Sequence, residues 1–96
     1  VNERWEDDPD ATVRLRGEQV MWSKVREEVV ALVLDTSEYV SVNRSATALW
    51  EMLVTGATVR QLKRTLAARW ELTEEQADHD VDTFLAELSA AGLLER

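Results

Sequence analysis

The hydrophobic period of the chain changes once, near Asn43. Before that point apolar residues alternate with polar ones. Val13 and Leu15 are spaced by two, and a turn at Gly17 and Glu18 leads to Val20, Trp22 and Val25, so one or two short strands begin at Thr12. Residues 28–35 read EVVALVLD. This β-branched run is too short for an independent helix and is bounded by polar residues, as a well-buried central strand is. Asp35, Thr36, Ser37 and Glu38 supply a turn, and Glu38–Val42 follows with Tyr39, Val40 and Val42. The two strands should pair as an antiparallel hairpin. As the last strand of a meander, Glu38–Val42 falls at an edge and exposes a row of unpaired backbone N–H and C=O groups.

From Asn43 onward the period is 3.6. Asn43 or Ser45 caps a helix whose apolar positions are Ala46, Leu49, Trp50 and Leu53, ending near Gly56. Thr58 with Gln61 forms a capping box for a second helix, with Val59, Leu62, Leu66 and Trp70 as its stripe. Thr73 with Gln76 repeats the box, and Ala77, Val81, Phe84, Leu85 and Leu88 recur until Gly92 stops the run. Leu93 and Leu94 are expected to fold back on the core. Trp50 and Trp70 lie on helical apolar stripes and are assigned to the core, whereas the place of Trp22 is left open. Two to four strands followed by three helices make a segregated α+β arrangement. Residues 1–10 carry Glu3, Glu6, Asp7, Asp8 and Asp10 around Pro9 with one aromatic, Trp5. Such a segment has little to bury, so residues 1–11 are expected to form a flexible acidic arm and residues 12–96 a single domain.

Ninety-six residues allow one core and no second catalytic lobe. At 45% hydrophobic and 31% charged, global disorder is excluded. Eleven Lys and Arg against nineteen Asp and Glu give a net charge of −8, which disfavours phosphate backbones and anionic lipid as partners. Without cysteine there is no disulfide, thiolate zinc site or thiol nucleophile. The longest wholly apolar run, residues 29–34, is far short of the ~20 residues that span a bilayer. A cytoplasmic protein without membrane contact is the resulting expectation.

No catalytic constellation emerges. His79 lies between Asp78 and Asp80, and with no thiol and no serine in a nucleophile elbow it reads as a solvated side chain. Asp78, Asp80 and Asp82 have the opening spacing of a calcium loop, but Thr83 stands where glycine is required and Ser89 where the bidentate glutamate belongs. Asp35, Thr36 and Ser37 lack the following glycine of an aspartic-protease signature, and Gly17, Gly56 and Gly92 stand too far apart for a phosphate loop. No enzyme activity, cofactor or metal is expected. Strands with three helices could instead form a DNA-binding winged helix. The second helix carries Arg60, Lys63, Arg64 and Arg69, but residues 71–95 contain eight acids and no Lys or Arg, so nucleic acid is not expected. What stays suggestive is an exposed strand edge beside an acidic helix, the arrangement of a module that takes a peptide as an added strand.

Leu34-Asp35-Thr36-Ser37-Glu38-Tyr39-Val40-Ser41-Val42-Asn43, followed by Ala46, Leu49-Trp50 and Leu53, resembles the PqqD-like family, in which an "aromatic, x, x, aliphatic, Asn" strand end precedes a helix with an aliphatic-Trp pair. Thr58-Val59, Gln61-Leu62, Ala77, Asp80-Val81, Phe84-Leu85, Leu88 and Gly92-Leu93-Leu94 are similar to its later segments, so the resemblance covers about residues 20–94. Ala46 departs from the glycine often found early in the first helix. The resemblance implies a three-stranded antiparallel sheet followed by three helices, winged helix-turn-helix-like. It also implies recognition of the leader segment of a ribosomally synthesised precursor peptide, laid as a strand along the third strand and against the third helix.

Within the family, the acidic last helix ending Ala-Ala-Gly-Leu-Leu is most like a stand-alone leader-binding B1 protein of lasso peptide pathways, which hands the leader to a leader peptidase, a B2-type cysteine protease. Carried onto this chain, Glu38, Tyr39, Val40, Ser41 and Val42 form the pairing strand. Val40, Val42, Val81, Leu85 and Leu88 are expected to floor the pockets, with Asp78, Asp82 and Glu87 drawing in basic leader residues. A homodimer through the same strand edge is the other occupant considered. The alternatives are a winged-helix DNA-binding protein and a non-catalytic structural subunit of an enzyme complex.

Overall fold

The computed structural model describes residues 8–95. The expected acidic arm falls largely on residues 1–7, outside the described residues. Strand β1 (Thr12–Val13) is followed by a 3-10 turn at Gly17–Gln19, then β2 (Val20–Val25), β3 (Glu28–Val33) and β4 (Glu38–Val42). Helix α1 (Arg44–Thr55), the two-residue strand β5 (Ala57–Thr58), α2 (Val59–Trp70) and α3 (Glu74–Ala90) complete the chain. The expected α+β fold is present: a three-stranded antiparallel sheet in the order β2-β3-β4, followed by three helices.

The helix ends form where the capping chemistry places them. Asn43 caps α1, its Oδ1 accepting from the Ala46 N–H at 3.0 Å, and Ser45 is inside the helix with its hydroxyl donating to the same oxygen at 2.9 Å. Thr58 and Thr73 both close full capping boxes with Gln61 and Gln76. Each helix turns one stripe inward: Leu49, Trp50 and Leu53 from α1, Val59, Leu62 and Leu66 from α2, and Ala77, Val81, Leu85 and Leu88 from α3. Val29, Ala31 and Val33 meet them from the central strand, and Leu93 and Leu94 return to the same core.

Two expectations need correction. Val13 and Leu15 are buried, as their alternation requires, but they do not extend the meander. β1 pairs with β5, Leu15 bridges Leu94, and the Leu15 N–H donates to the Leu53 carbonyl at 2.9 Å. This segment ties the α1–α2 junction to the C-terminal turn. Trp70, assigned above to the core, is 38% exposed and lies under the guanidinium of Arg44, 5.9 Å from its ring centroid. It is the last residue of α2, beyond the point where the helix still faces the core, and Leu72, two residues on, packs against the core instead.

Residues 8–11 lie against the start of α2. The Arg60 N–H donates to the Pro9 carbonyl at 2.8 Å, and the Arg60 side chain pairs with Asp10 at 2.9 Å. The Arg60 hydrogen bond, and then its charge, holds the Asp10 carboxyl below its ordinary value, while the same pairing raises Arg60.

Candidate functional site

The direction of the free backbone groups on β4 follows from the turn before it. Arg26 and Glu27 form a two-residue connection between the paired Val25 and Glu28, and both have positive φ, 52° and 71°. This is the I′ hairpin, whose flanking pair exchanges both backbone hydrogen bonds. Glu28, Val30 and Leu32 therefore bond towards β2, leaving Val29, Ala31 and Val33 to bond towards β4. Two hydrogen bonds beyond the ladder agree: Leu34 donates to Gln19 on the β2 side, and the Val33 carbonyl accepts from Ser37 on the β4 side. The partners of Val29, Ala31 and Val33 are Val42, Val40 and Glu38. On β4 it is thus Tyr39 and Ser41 whose N–H and C=O groups point away from the sheet. The opposite edge, on β2, presents those of Val20, Trp22 and Lys24 by the same alternation.

The side chains of β4 divide between two faces. Val42 is buried and Val40 half-buried on the helix side, whereas Tyr39 and Ser41 project from the outer face, Tyr39 74% exposed. Glu38 starts the strand in an exposed position. Beyond the end of β4 a groove of about 280 Å³ opens between the start of α1 and one flank of α3. Asn43, Ser45, Ala46 and Leu49 line it on one side, His79, Asp80, Thr83, Phe84 and Glu87 on the other, with Leu66 contributed by α2.

Of the residues expected on α3, only Glu87 faces this groove. Val81, Leu85 and Leu88 are buried to 0–2% exposure, so they support the helix from within and have almost no surface to offer a ligand. Asp78 and Asp82 lie on the other flank, where both reach the Lys63 ammonium, at 3.6 and 3.5 Å. A helical wheel centred on Val81 separates the two sets: Asp78 and Asp82 fall roughly 60–100° to one side, and Phe84, Asp80 and Glu87 roughly 60–120° to the other. The sequence carried that division. Which flank adjoins the strand end is set by how α2 packs, and no local pattern encodes it.

A larger cavity, about 580 Å³, lies between α2, α3 and Pro9. Its cations are mostly committed: Arg60 to Asp10 and Lys63 to Asp78 and Asp82, which leaves Arg64 without an ion pair among the described residues. That is a poor phosphate track. Among the described residues there is no cluster of His, Asp and Glu able to hold a metal ion, and no helix long and apolar enough to cross a membrane.

Comparison with known proteins gives a consistent picture. The family model for PqqD, coenzyme PQQ synthesis protein D, matches residues 28–94. A search of curated proteins gave no match. Among solved structures, TbiB1 in complex with the TbiA(beta) leader peptide superposes with a TM-score of 0.78 at 23% sequence identity, over 85% of this chain and 94% of that one. At this identity the likeness is one of fold.

Proposed function

We propose that this chain, which belongs to the PqqD family, binds the leader segment of a ribosomally synthesised precursor peptide as a fourth strand of its sheet, along the free edge of β4. The observation that carries this is the outward direction of the Tyr39 and Ser41 backbone groups on a strand that leads straight into a groove. An extended peptide opposite these two residues makes the paired N–H···O=C bonds of an antiparallel ladder, which supply affinity whatever the sequence. Side chains entering the groove between α1 and α3 supply discrimination. The role is one of presentation, without catalysis. TbiB1, a protein of the same fold, is described with a leader peptide.

The pathway we favour is that of a lasso peptide, with the bound leader passed to a B2-type cysteine protease. The acidic α3 and its Ala-Ala-Gly-Leu-Leu end support this choice. Binding outside any cleavage site lets a separate enzyme act on the exposed core of the precursor while the leader remains clamped. Pairing of a second copy on the same edge would compete with the peptide.

An amide-resolved NMR titration with the leader of the precursor peptide encoded nearest to this chain's gene tests the proposal. Saturable shifts at Tyr39, Ser41 and Asn43 and along residues 79–87 are expected. Absence of shifts there, or shifts confined to residues 60–69 on adding duplex DNA, would contradict it.

A further inference from the structure

From the lining of the groove at the end of β4 we infer that it selects a lysine or arginine side chain of the bound peptide; this deepens the leader-binding proposal and rests on it. The ionisable side chains of the groove are two carboxylates and one imidazole, His79, all on its α3 wall. Asp80 and Glu87 stand on its α3 wall, and neither has an ion pair among the described residues. They are seven residues apart, so they occupy nearly the same face of α3 about 10.5 Å from each other along its axis. The opposite wall brings no compensating cation: Ser45 donates to Asn43 Oδ1, which also caps α1. Lys63, the cation that α2 turns towards α3, is held on the other flank by Asp78 and Asp82.

Between the two carboxylates α3 presents Thr83 and the half-buried Phe84, faced by the half-buried Ala46 of α1, while Leu49 and Leu66 are almost fully buried. An anionic side chain is excluded by repulsion, and an aromatic or aliphatic one would strip water from carboxylates without replacing it. An amphipathic cation satisfies both surfaces. Its methylene stem lies on Ala46 and Phe84 while its head reaches Asp80 or Glu87, and the Phe84 ring adds attraction for the charge. The groove follows immediately on the strand edge, so the position it reads lies just beyond the residues that pair with Tyr39 and Ser41. The discriminating wall is therefore the Asp80, Phe84 and Glu87 flank of α3.

The test uses the full chain immobilised as bait and a library of acetylated, amidated dodecapeptides randomised at every position without cysteine. Recovered peptides are expected to favour Lys or Arg over Leu at one position by roughly fivefold, the scale of a part-exposed ion pair, with Asp and Glu depleted there. Asp80→Asn combined with Glu87→Gln should abolish that preference. Glu75→Gln, which removes the same kind of charge outside the groove, should leave it intact. If the preferred residue is apolar, or the preference survives in the double variant, the inference is overturned while strand addition stands, provided that Ser41→Pro still abolishes recovery. If Ser41→Pro recovers peptides as well as the native chain, strand addition fails and the inference falls with it. Recovery of no peptide above background by the native chain overturns both.

Discussion

The indoles of Trp22 and Trp50 meet edge to face, their centroids 5.9 Å apart and their planes at 75°. Trp22 lies on the helix-side face of β2, from which Lys24 also reaches Glu51 of α1 at 3.3 Å, so the edge strand is fastened to the first helix at two points. The two rings are not equivalent. Trp50 is fully buried and Trp22 is 38% exposed. Trp50→Ala should cost about 3–5 kcal/mol, as deletion of a core aromatic does. Trp22→Ala should cost about 1–2 kcal/mol, from part of its burial and the ring contact. The Trp50 Nε1–H has no acceptor among the described residues, so Trp50→Phe forfeits packing but no hydrogen bond. Urea unfolding followed by circular dichroism checks the order of the three variants.

The I′ turn before β3 is made from residues poorly suited to it. Arg26 and Glu27 both hold a positive φ that L side chains disfavour. Glu27→Gly removes that cost at one position, and relief of the disfavoured backbone outweighs the extra freedom gained by the unfolded chain. The lost pairing with Arg44, 3.0 Å in length, is too exposed at both ends to offset much. A net stabilisation of about 0.5–1 kcal/mol is expected. Thermal unfolding should show a higher midpoint; a lower one would mean that the Glu27–Arg44 pair outweighs the backbone strain.

Asp10 should titrate below the ordinary carboxylate value of 3.8, because Arg60 donates a hydrogen bond to its ionised form and adds favourable charge. Its folded value is depressed. The stabilisation it contributes is therefore complete above the unfolded value and is lost as pH falls through the folded one. Both groups are solvent-exposed, so the effect is local to residues 8–11 and α2. Following the Asp10 side-chain carboxyl by carbon NMR, Arg60→Gln should raise its midpoint towards the ordinary carboxylate value. An unchanged midpoint would show that the ion pair does not hold the segment in solution.

Much of the fold was legible because it rests on local chemistry. The switch of period at Asn43, the Thr58 and Thr73 capping boxes, and the buried stripes of Val59, Leu62, Leu66 and of Val81, Leu85, Leu88 are written in short stretches of chain. The partners of Val13 and Leu15 were not: Val13 pairs with the two-residue β5, more than forty residues away, and Leu15 bridges Leu94 near the other end of the chain. Trp70 shows the limit of periodicity: the stripe continues to the last residue of α2, but the core does not. At the candidate site, the strand edge could be read from the hairpin order. The outward groups of Tyr39 and Ser41 required the I′ turn and the pairing register. The groove residues Asp80, Thr83 and Phe84 required the packing of α3 against α2.

The central claim is that peptide affinity comes from the outward backbone groups of Tyr39 and Ser41, and proline substitution at adjacent positions tests it most directly. Proline removes one N–H, and at an edge position facing solvent the sheet keeps its ladder. Ser41→Pro should leave the fold intact by circular dichroism and thermal midpoint, yet weaken leader binding at least tenfold by calorimetry, the scale of a lost ladder bond together with the clash of the ring against an incoming strand. Val40→Pro removes a bond to Ala31 and should destabilise the domain by about 3 kcal/mol. A folded Ser41→Pro domain that binds the leader as tightly as the native chain would contradict strand addition on β4.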